Sequence, residues 1–469
     1  MFFVFKYQLY LLQLEEYTLG RYWKLLFKKG YFYPNQPLRN QINWTLKAKL
    51  ILAVAFLIYS LKLVFLWRLF GYYPAIAWLV LGLALFPPLY TIALVILWPL
   101  DSLIKKIIIT RAKRIIKNNP AKIIGIAGSY GKTTMKNVLA AALSSKLKIL
   151  ASPENINTPL GIARWLIKNQ GQKADILIVE MGEYYQGDIK KICNLTPPDI
   201  AVITGINEAH LERLKDIKTT VATIFEISQG LKRGGILALN ADDQNILASY
   251  QKYTRGQNVI FYSSYNHPKA NIKIENKLFN NEKLAWTFSC KEIGEAVVFI
   301  LGEYIVGAST AAIWLGLSLG LNPQQVKQGL ANIKPLPHRL QPMQNQAKML
   351  IIDDSYNANP QSVKQGLEVL ARFSNRRKIV LTPGLVEMGK KSAILHQDIG
   401  QQLAKVASQV ILIKNSVTPY IAQGLKQAGF SEADIVWFNT APEAHQALSA
   451  ILKPGDVVLF QNDWPDQYT

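Results

Sequence analysis

The stretch KIIGIAGSYGKTTMKNVLAAAL, residues 122–143, is an apolar run, a glycine-rich turn and a helical pattern in direct succession. That order predicts strand, loop, helix. Such a loop points main-chain N–H groups and a helix N-terminus at a phosphate, while Lys132 adds a mobile cation and Thr133 a hydroxyl suited to Mg2+. Gly128, Ser129, Tyr130, Gly131, Lys132, Thr133 and Thr134 are therefore candidate nucleotide-binding residues. A strict G-x-x-x-x-G-K-[ST] pattern would place glycine at 126, where the chain has Ile126 with Gly125 one place early.

Two runs downstream complete a site around this loop. DILIVEMG, 175–182, delivers Glu180 to the carboxyl end of a buried strand, where open α/β sheets bind ligands and a carboxylate can hold the metal. DIAVITGINEAHLERL, 199–214, ends in a loop with Asn207, Glu208 and His210, so His210 joins Thr133 and Glu180 as a candidate Mg2+ ligand. Alternation of strands with helices predicts an α/β chain whose central domain, 99–334, holds a parallel doubly wound sheet. Short runs between Tyr250 and Lys291 read as small strands at its edge. From Pro335 the runs KMLIIDDSY, RKIVLTPG, SQVILIKN, DIVWFNT and DVVLFQND predict a second α/β domain, 335–469, whose last residues read as a terminal loop.

The chain has 469 residues, half of them hydrophobic, which excludes disorder and suggests two or three folded units. Cys193 and Cys290 have no near cysteine neighbours, so they read as buried thiols rather than a disulfide framework or a metal site. The net charge of +22 would suit nucleic acid or an anionic membrane, and its placement decides between them. LILAVAFLIYSLKLVFL, 50–66, and AIAWLVLGLALFPPLYTIALVILW, 75–98, approach or exceed the length needed to cross a bilayer, with a kink expected at Pro87 and Pro88. Basic residues crowd both flanks, residues 1–49 and 101–123, and only Arg68 lies between the runs. The expectation is a basic cytoplasmic segment, 1–49, then a two-span hairpin, 50–98, at the cytoplasmic membrane with the catalytic domains in the cytoplasm. More than half of the net charge then faces anionic lipid, and no nucleic-acid partner is needed.

With these residues in view the chain resembles the Mur ligase family, ATP-dependent amide ligases of peptidoglycan precursor synthesis, over about residues 115–465. GIAGSYGKTT resembles the family's phosphate loop, VEMG the segment with its metal-binding glutamate, and NEAHLE the loop whose histidine helps hold Mg2+. LNADD, 239–243, and LPHR, 336–339, are similar to the end of the central domain and the start of the C-terminal one. DDSYNANPQS, 353–362, resembles the nucleotide-contacting loop of the family's D-alanyl-D-alanine-adding branch, NTPLG, 157–161, that branch's substrate loop, and LVEMG, 385–389, a later strand exit.

The resemblance implies ATP and Mg2+ as cofactors, an acyl phosphate, and amide formation. It assigns catalytic roles to Lys132, Glu180, His210 and Arg339, further nucleotide contacts to Asp354, Asn357 and Asn359, and substrate contacts to Asn157, Thr158 and Pro159. Expected partners are a muramyl-peptide precursor, an amino acid or dipeptide, and membrane lipid. Three departures stand out. Ile224 occupies the place of a carbamylated lysine, with Lys215 and Lys218 as nearby candidates to replace it. GEYIVGA, 302–308, lacks the family's His and Asn. The uridine-gripping N-terminal domain is replaced by LLQLEEYTLGRYWKLL and the hairpin, as in membrane-attached relatives. Competing expectations are a poly-γ-glutamate-like polymer ligase and a degenerate, nucleotide-binding scaffold; a transport ATPase is disfavoured by having only two spans.

Overall fold

The computed structural model describes residues 2–29, 42–207, 214–254, 256–344, 349–356, 358–386, 388 and 391–462, apart from the side chains of 2–3, 28–29 and 80–85. The chain divides into two units, Met1–Thr110 and Arg111–Thr469.

The first unit is helical: α1 (Phe2–Leu14), α2 (Leu19–Lys29), α3 (Leu46–Phe70) and α4 (Tyr72–Lys117), the last reaching past the unit's end. Thr45 caps α3 by accepting from the Ala48 amide at 3.2 Å, so the helix opens a turn before the apolar run. α3 is long and apolar enough to cross a membrane, and Leu57, Leu61, Phe65 and Trp67 on it are exposed. The second apolar run lies within α4, which continues unbroken through Pro87, Pro88 and Pro99; six of that run's side chains fall outside the described residues. Phe5, Tyr22, Leu26, Ile51, Phe86 and Tyr90 share one core. Helix α1 is not legible by period, because apolar residues surround it on all sides and no stripe marks a helix, whereas α2 carries an amphipathic period that the sequence reading passed over.

In the second unit, β1 (Lys122–Ala127), β2 (Ile149–Ala151), β3 (Ile176–Glu180), β4 (Ile200–Ile203), β5 (Ile236–Asn240) and β6 (Asn258–Tyr262) form a sheet in the order β2-β3-β1-β4-β5-β6. Every pair in it is parallel. The chain leaves β1 for one side of the sheet and later returns to the other, which opens a crevice at the carboxyl end of β1. Ile124, Ile126, Ile178 and Val202 pack under Met135 and Leu139 of α5 (Lys132–Leu143) and under Ile305 and Ile313 of the helix Tyr304–Ser318. Of the small edge strands expected between Tyr250 and Lys291, β7 (Ile274–Asn280) and β8 (Ala285–Cys290) are found in an antiparallel sheet with β9 (Gly294–Val298), which lies beyond that range, while β6 within it completes the parallel sheet instead. Both cysteines are free and buried.

The C-terminal half adds β10 (Gln341–Gln344), β11 (Leu350–Asp354), β12 (Lys378–Thr382), β13 (Gln409–Ile413), β14 (Ile435–Phe438) and β15 (Val457–Gln461) in the order β10-β11-β15-β12-β13-β14. All pairs are parallel except β10 with β11. This is the second α/β unit predicted from the chain's apolar runs, with an antiparallel edge strand the runs did not reveal.

Candidate nucleotide-binding site

β1 ends at Ala127 and the loop turns at Gly128, whose φ is +145°. A Cβ there would lie 2.3 Å from Thr204 Oγ1 and 3.0 Å from the Gly205 main chain, so the loop sits directly on the end of β4. The Ser129 amide donates to Gly205 O at 2.7 Å, and the Thr204 hydroxyl donates to Tyr130 O. Gly131, in the left-handed region, caps α5. The first amides of any α-helix lack intrahelical acceptors, and those of Lys132, Thr133 and Thr134 open this one. Tyr130 lies flat against Gly205, where a side chain would collide with its ring, and donates to Asp243 Oδ2 at 2.9 Å. Asp243 also accepts from the Ile206 amide at 2.8 Å and caps the helix Gln244–Tyr253. Burial, then Asp243, pushes the Tyr130 phenol far above its ordinary range.

The charged centre lies beside this loop. Register sets Glu180 of β3 against Ile126 of β1, two residues before Gly128. The Thr133 hydroxyl donates to Glu180 Oε2 at 3.1 Å, and Lys136 Nζ is 3.0 Å from the same oxygen. Lys132 Nζ is 2.9 and 3.1 Å from the two oxygens of Glu183 and donates to Gly128 O. Burial raises the Glu180 pKa, but Lys136 and Lys132 outweigh it and leave the carboxylate below its ordinary value. Burial likewise works against the Lys132 cation, and Glu183 and Glu180 overcome it, so its pKa is raised. Lys136 and Glu183 escaped the sequence reasoning. Lys136 was recoverable, since it stands one helical turn beyond Lys132 on the same face. Glu183 follows the end of β3, where strand period no longer says which way a side chain points.

The C-terminal half supplies the opposite wall. Arg339 Nη2 is 3.4 Å from Thr133 Oγ1, and its guanidinium lies 4.6 Å from the centre of the Tyr356 ring. The Tyr356 hydroxyl donates to Asn155 Oδ1, and Asn207 Nδ2 donates to Asn359 Oδ1 at 3.1 Å. Asn359 also caps the helix Pro360–Ala371. Asp354 accepts from the Leu340 amide at 3.2 Å and from Gln461 at 2.7 Å. Burial pushes its pKa up to about 6, with Gln461, the Leu340 amide and Arg339 pulling the other way. Between the walls is a cleft of about 790 Å3 lined by Tyr130, Lys132, Glu180, Asp242, Arg339 and Asp354 among others.

Most of the candidate residues converge here. Ser129, Tyr130, Gly131, Lys132, Thr133, Thr134, Asn157, Glu180, Arg339, Asp354 and Asn359 all line the cleft. Thr158 and Pro159 begin α6 (Pro159–Lys168), with Thr158 accepting from the Gly161 amide at 3.3 Å. His210 and Asn357 lie outside the described residues, as do the last residues of the chain and parts of 385–389. Ile224 is fully buried in the core. Tyr304 and Ala308, at the altered GEYIVGA stretch, border the cleft.

The residues present fit a nucleoside triphosphate with one metal ion. Gly128 leaves a cradle that a Cβ would fill, and buried Ser129 Oγ has no hydrogen-bond partner among the described residues. Thr133 and Glu180 would hold Mg2+, which needs few protein ligands when phosphate oxygens supply others. Among the described residues no three His, Cys, Asp or Glu side chains converge as a metal cluster.

Two family descriptions match the chain: Mur ligase middle domain over residues 126–316, and Mur ligase, glutamate ligase domain over residues 338–461. The UDP-N-acetylmuramoyl-tripeptide--D-alanyl-D-alanine ligase of Escherichia coli (strain K12) is 30% identical over 60% of this chain and 62% of its own length. That of Bacillus subtilis (strain 168) is 25% identical over 75% of each chain. This chain thus spans less than two thirds of the first relative. The crystal structure of MurF ligase from Thermotoga maritima in complex with ADP superposes with a TM-score of 0.67 at 24% identity, covering 76% of this chain and 80% of that one; it shares the fold.

Proposed function

The chain belongs to the Mur ligase family, and from that premise we propose that it is an ATP-dependent ligase joining a carboxylate to an amine in peptidoglycan precursor synthesis, adding D-alanyl-D-alanine to a muramyl tripeptide. The observation that carries this reading is the meeting of Lys132, Thr133 and Glu180 with Arg339 from the C-terminal half across one cleft. ATP, when bound, supplies the phosphoryl group that activates the carboxylate as an acyl phosphate. The loop amides, Lys132 and Arg339 neutralise the charge that spreads over the transferring oxygens, the largest catalytic term available to such a site. Thr133 and Glu180 would hold the metal, which would supply further neutralisation of phosphate charge. Contacts between the two walls at Tyr356–Asn155 and Asn207–Asn359 bridge the cleft, so that further closure would bring both substrates together. Asn157, buried at the cleft and bonded through its carbonyl to the Gly182 amide at 2.8 Å, is our candidate for contact with the muramyl peptide.

The ligase is proposed to work at the cytoplasmic membrane. α3 is one span and the 75–98 part of α4 a second, both flanks facing the cytoplasm and anionic lipid. Purified protein given ATP, Mg2+, UDP-N-acetylmuramoyl-tripeptide and D-alanyl-D-alanine should release phosphate and yield the pentapeptide by mass spectrometry. Absence of both products with every muramyl peptide and amine tried removes the reading. The buried Ile224 favours a second one, a scaffold that binds nucleotide without turnover; nucleotide binding without phosphate release would select it.

A further inference from the structure

Glu183 is paired with Lys132 behind the lining of the cleft and differs from the charged groups that line it. Glu180 is paired with Lys136 as well as hydrogen-bonded to Thr133, so it keeps a cation wherever Lys132 goes. Glu183 is 2% exposed, both of its oxygens meet Lys132 Nζ, and among the described residues Lys132 is its one cationic partner. An ammonium has three donors, and those of Lys132 already go to Glu183 and Gly128 O. Seating a polyphosphate on the loop therefore draws Lys132 off Glu183. A carboxylate so buried is strongly disfavoured without a counter-charge.

The reaction brings a second cation. The α-amino group of a dipeptide has a pKa near 8 and enters mostly as an ammonium at neutral pH. Along the chain Glu183 follows Glu180 of the phosphate site by three residues and Gly182 by one, and the Gly182 amide binds the Asn157 carbonyl of the proposed substrate loop. Resting on the ligase reading above, we propose that Glu183 is the binding site for the primary ammonium of the incoming amine, vacated for it when ATP takes Lys132. Nucleotide and amine then bind with positive coupling, because each stabilises one half of the ion pair that the other has divided.

The test uses the full chain, a nonhydrolysable ATP analogue and D-alanyl-D-alanine. In the wild type the analogue should tighten dipeptide binding roughly tenfold by calorimetry. In E183Q that coupling should vanish and the dipeptide KM rise roughly tenfold, while the KM for ATP stays level or falls. A dipeptide KM within twofold of wild type, or coupling that survives in E183Q, overturns the proposal. Should E183Q lose its melting transition, E183D carries the test: the shorter carboxylate should raise the dipeptide KM several-fold with analogue binding intact, and an unchanged KM overturns the proposal. A wild type that makes no amide with any amine removes the ligase reading instead, a result separate from an active wild type and an indifferent E183Q.

Discussion

Lys132 and Glu183 form a pair whose side chains are 13% and 2% exposed, so cutting one partner strands the other in a poorly solvated place. Lys132→Ala should lower stability by about 3 kcal/mol, with most of it regained in the Lys132→Ala/Glu183→Ala double variant. Turnover should fall at least ~100-fold in both, since the cation is gone from the transferring phosphoryl group. Thermal unfolding together with phosphate release checks this, and a double variant no more stable than the single one contradicts it. Asp354 makes a pH-dependent case. Its folded value, about 6, lies above the ordinary 3.8, so the native state holds this proton more tightly than the unfolded chain does. That stabilisation is complete below about pH 4 and is lost as pH rises through 6, leaving the ionised group a burden on the order of 2 to 3 kcal/mol at neutrality. Asp354→Asn should therefore gain stability relative to wild type at pH 7 but not at pH 4, by urea unfolding at both. An equal difference at the two pH values would exclude burial of the charge as the cause.

At the scale of elements, the phosphate loop depends on the end of β4. Gly128→Ala forces a Cβ onto Thr204 Oγ1 at a φ that side chains rarely adopt. It should cost about 1–3 kcal/mol and abolish nucleotide binding, measured by calorimetry with ADP; retained binding would mean the loop can move off β4. Asn359 caps its helix and bonds Asn207 across the cleft. Asn359→Ala should cost about 1 kcal/mol from the cap and raise the KM for ATP, while Asn207→Ala, which removes the bond and leaves the cap, should separate the two effects.

These elements were legible to different depths. The strand, loop and helix at 122–143 follow from apolar run, glycines and period, and the carboxyl-end position of Glu180 follows from the parallel sheet. Glu183 and the ring of Tyr130 against Gly205 do not, because loop direction depends on which strand the loop lies upon. The wall built by Arg339, Asp354 and Tyr356 was reached through motif likeness alone; no local pattern says that residues some two hundred positions apart will share a hydroxyl contact at Thr133.

The whole molecule combines the Mur ligase family domains with a helical unit of another composition. A chain beginning at Arg111 should remain soluble and bind ATP analogue as the full chain does, while the full chain should stay with membranes through alkaline carbonate washing. A full chain released by carbonate would remove the spans. Apolar length made α3 readable and α2 had an amphipathic period to read, whereas α1 needed tertiary packing against Ile51 and Phe86 to be seen. The cysteines, finally, have an experimental use. Cys193, pushed up to about 12 by burial, and Cys290, also raised by burial, offer little thiolate to a maleimide dye. The natural chain is thus a nearly silent background for fluorescence labelling: a single thiol placed at exposed Glu154 and another at exposed Lys364 would report, by energy transfer, how far the cleft opens in each turnover.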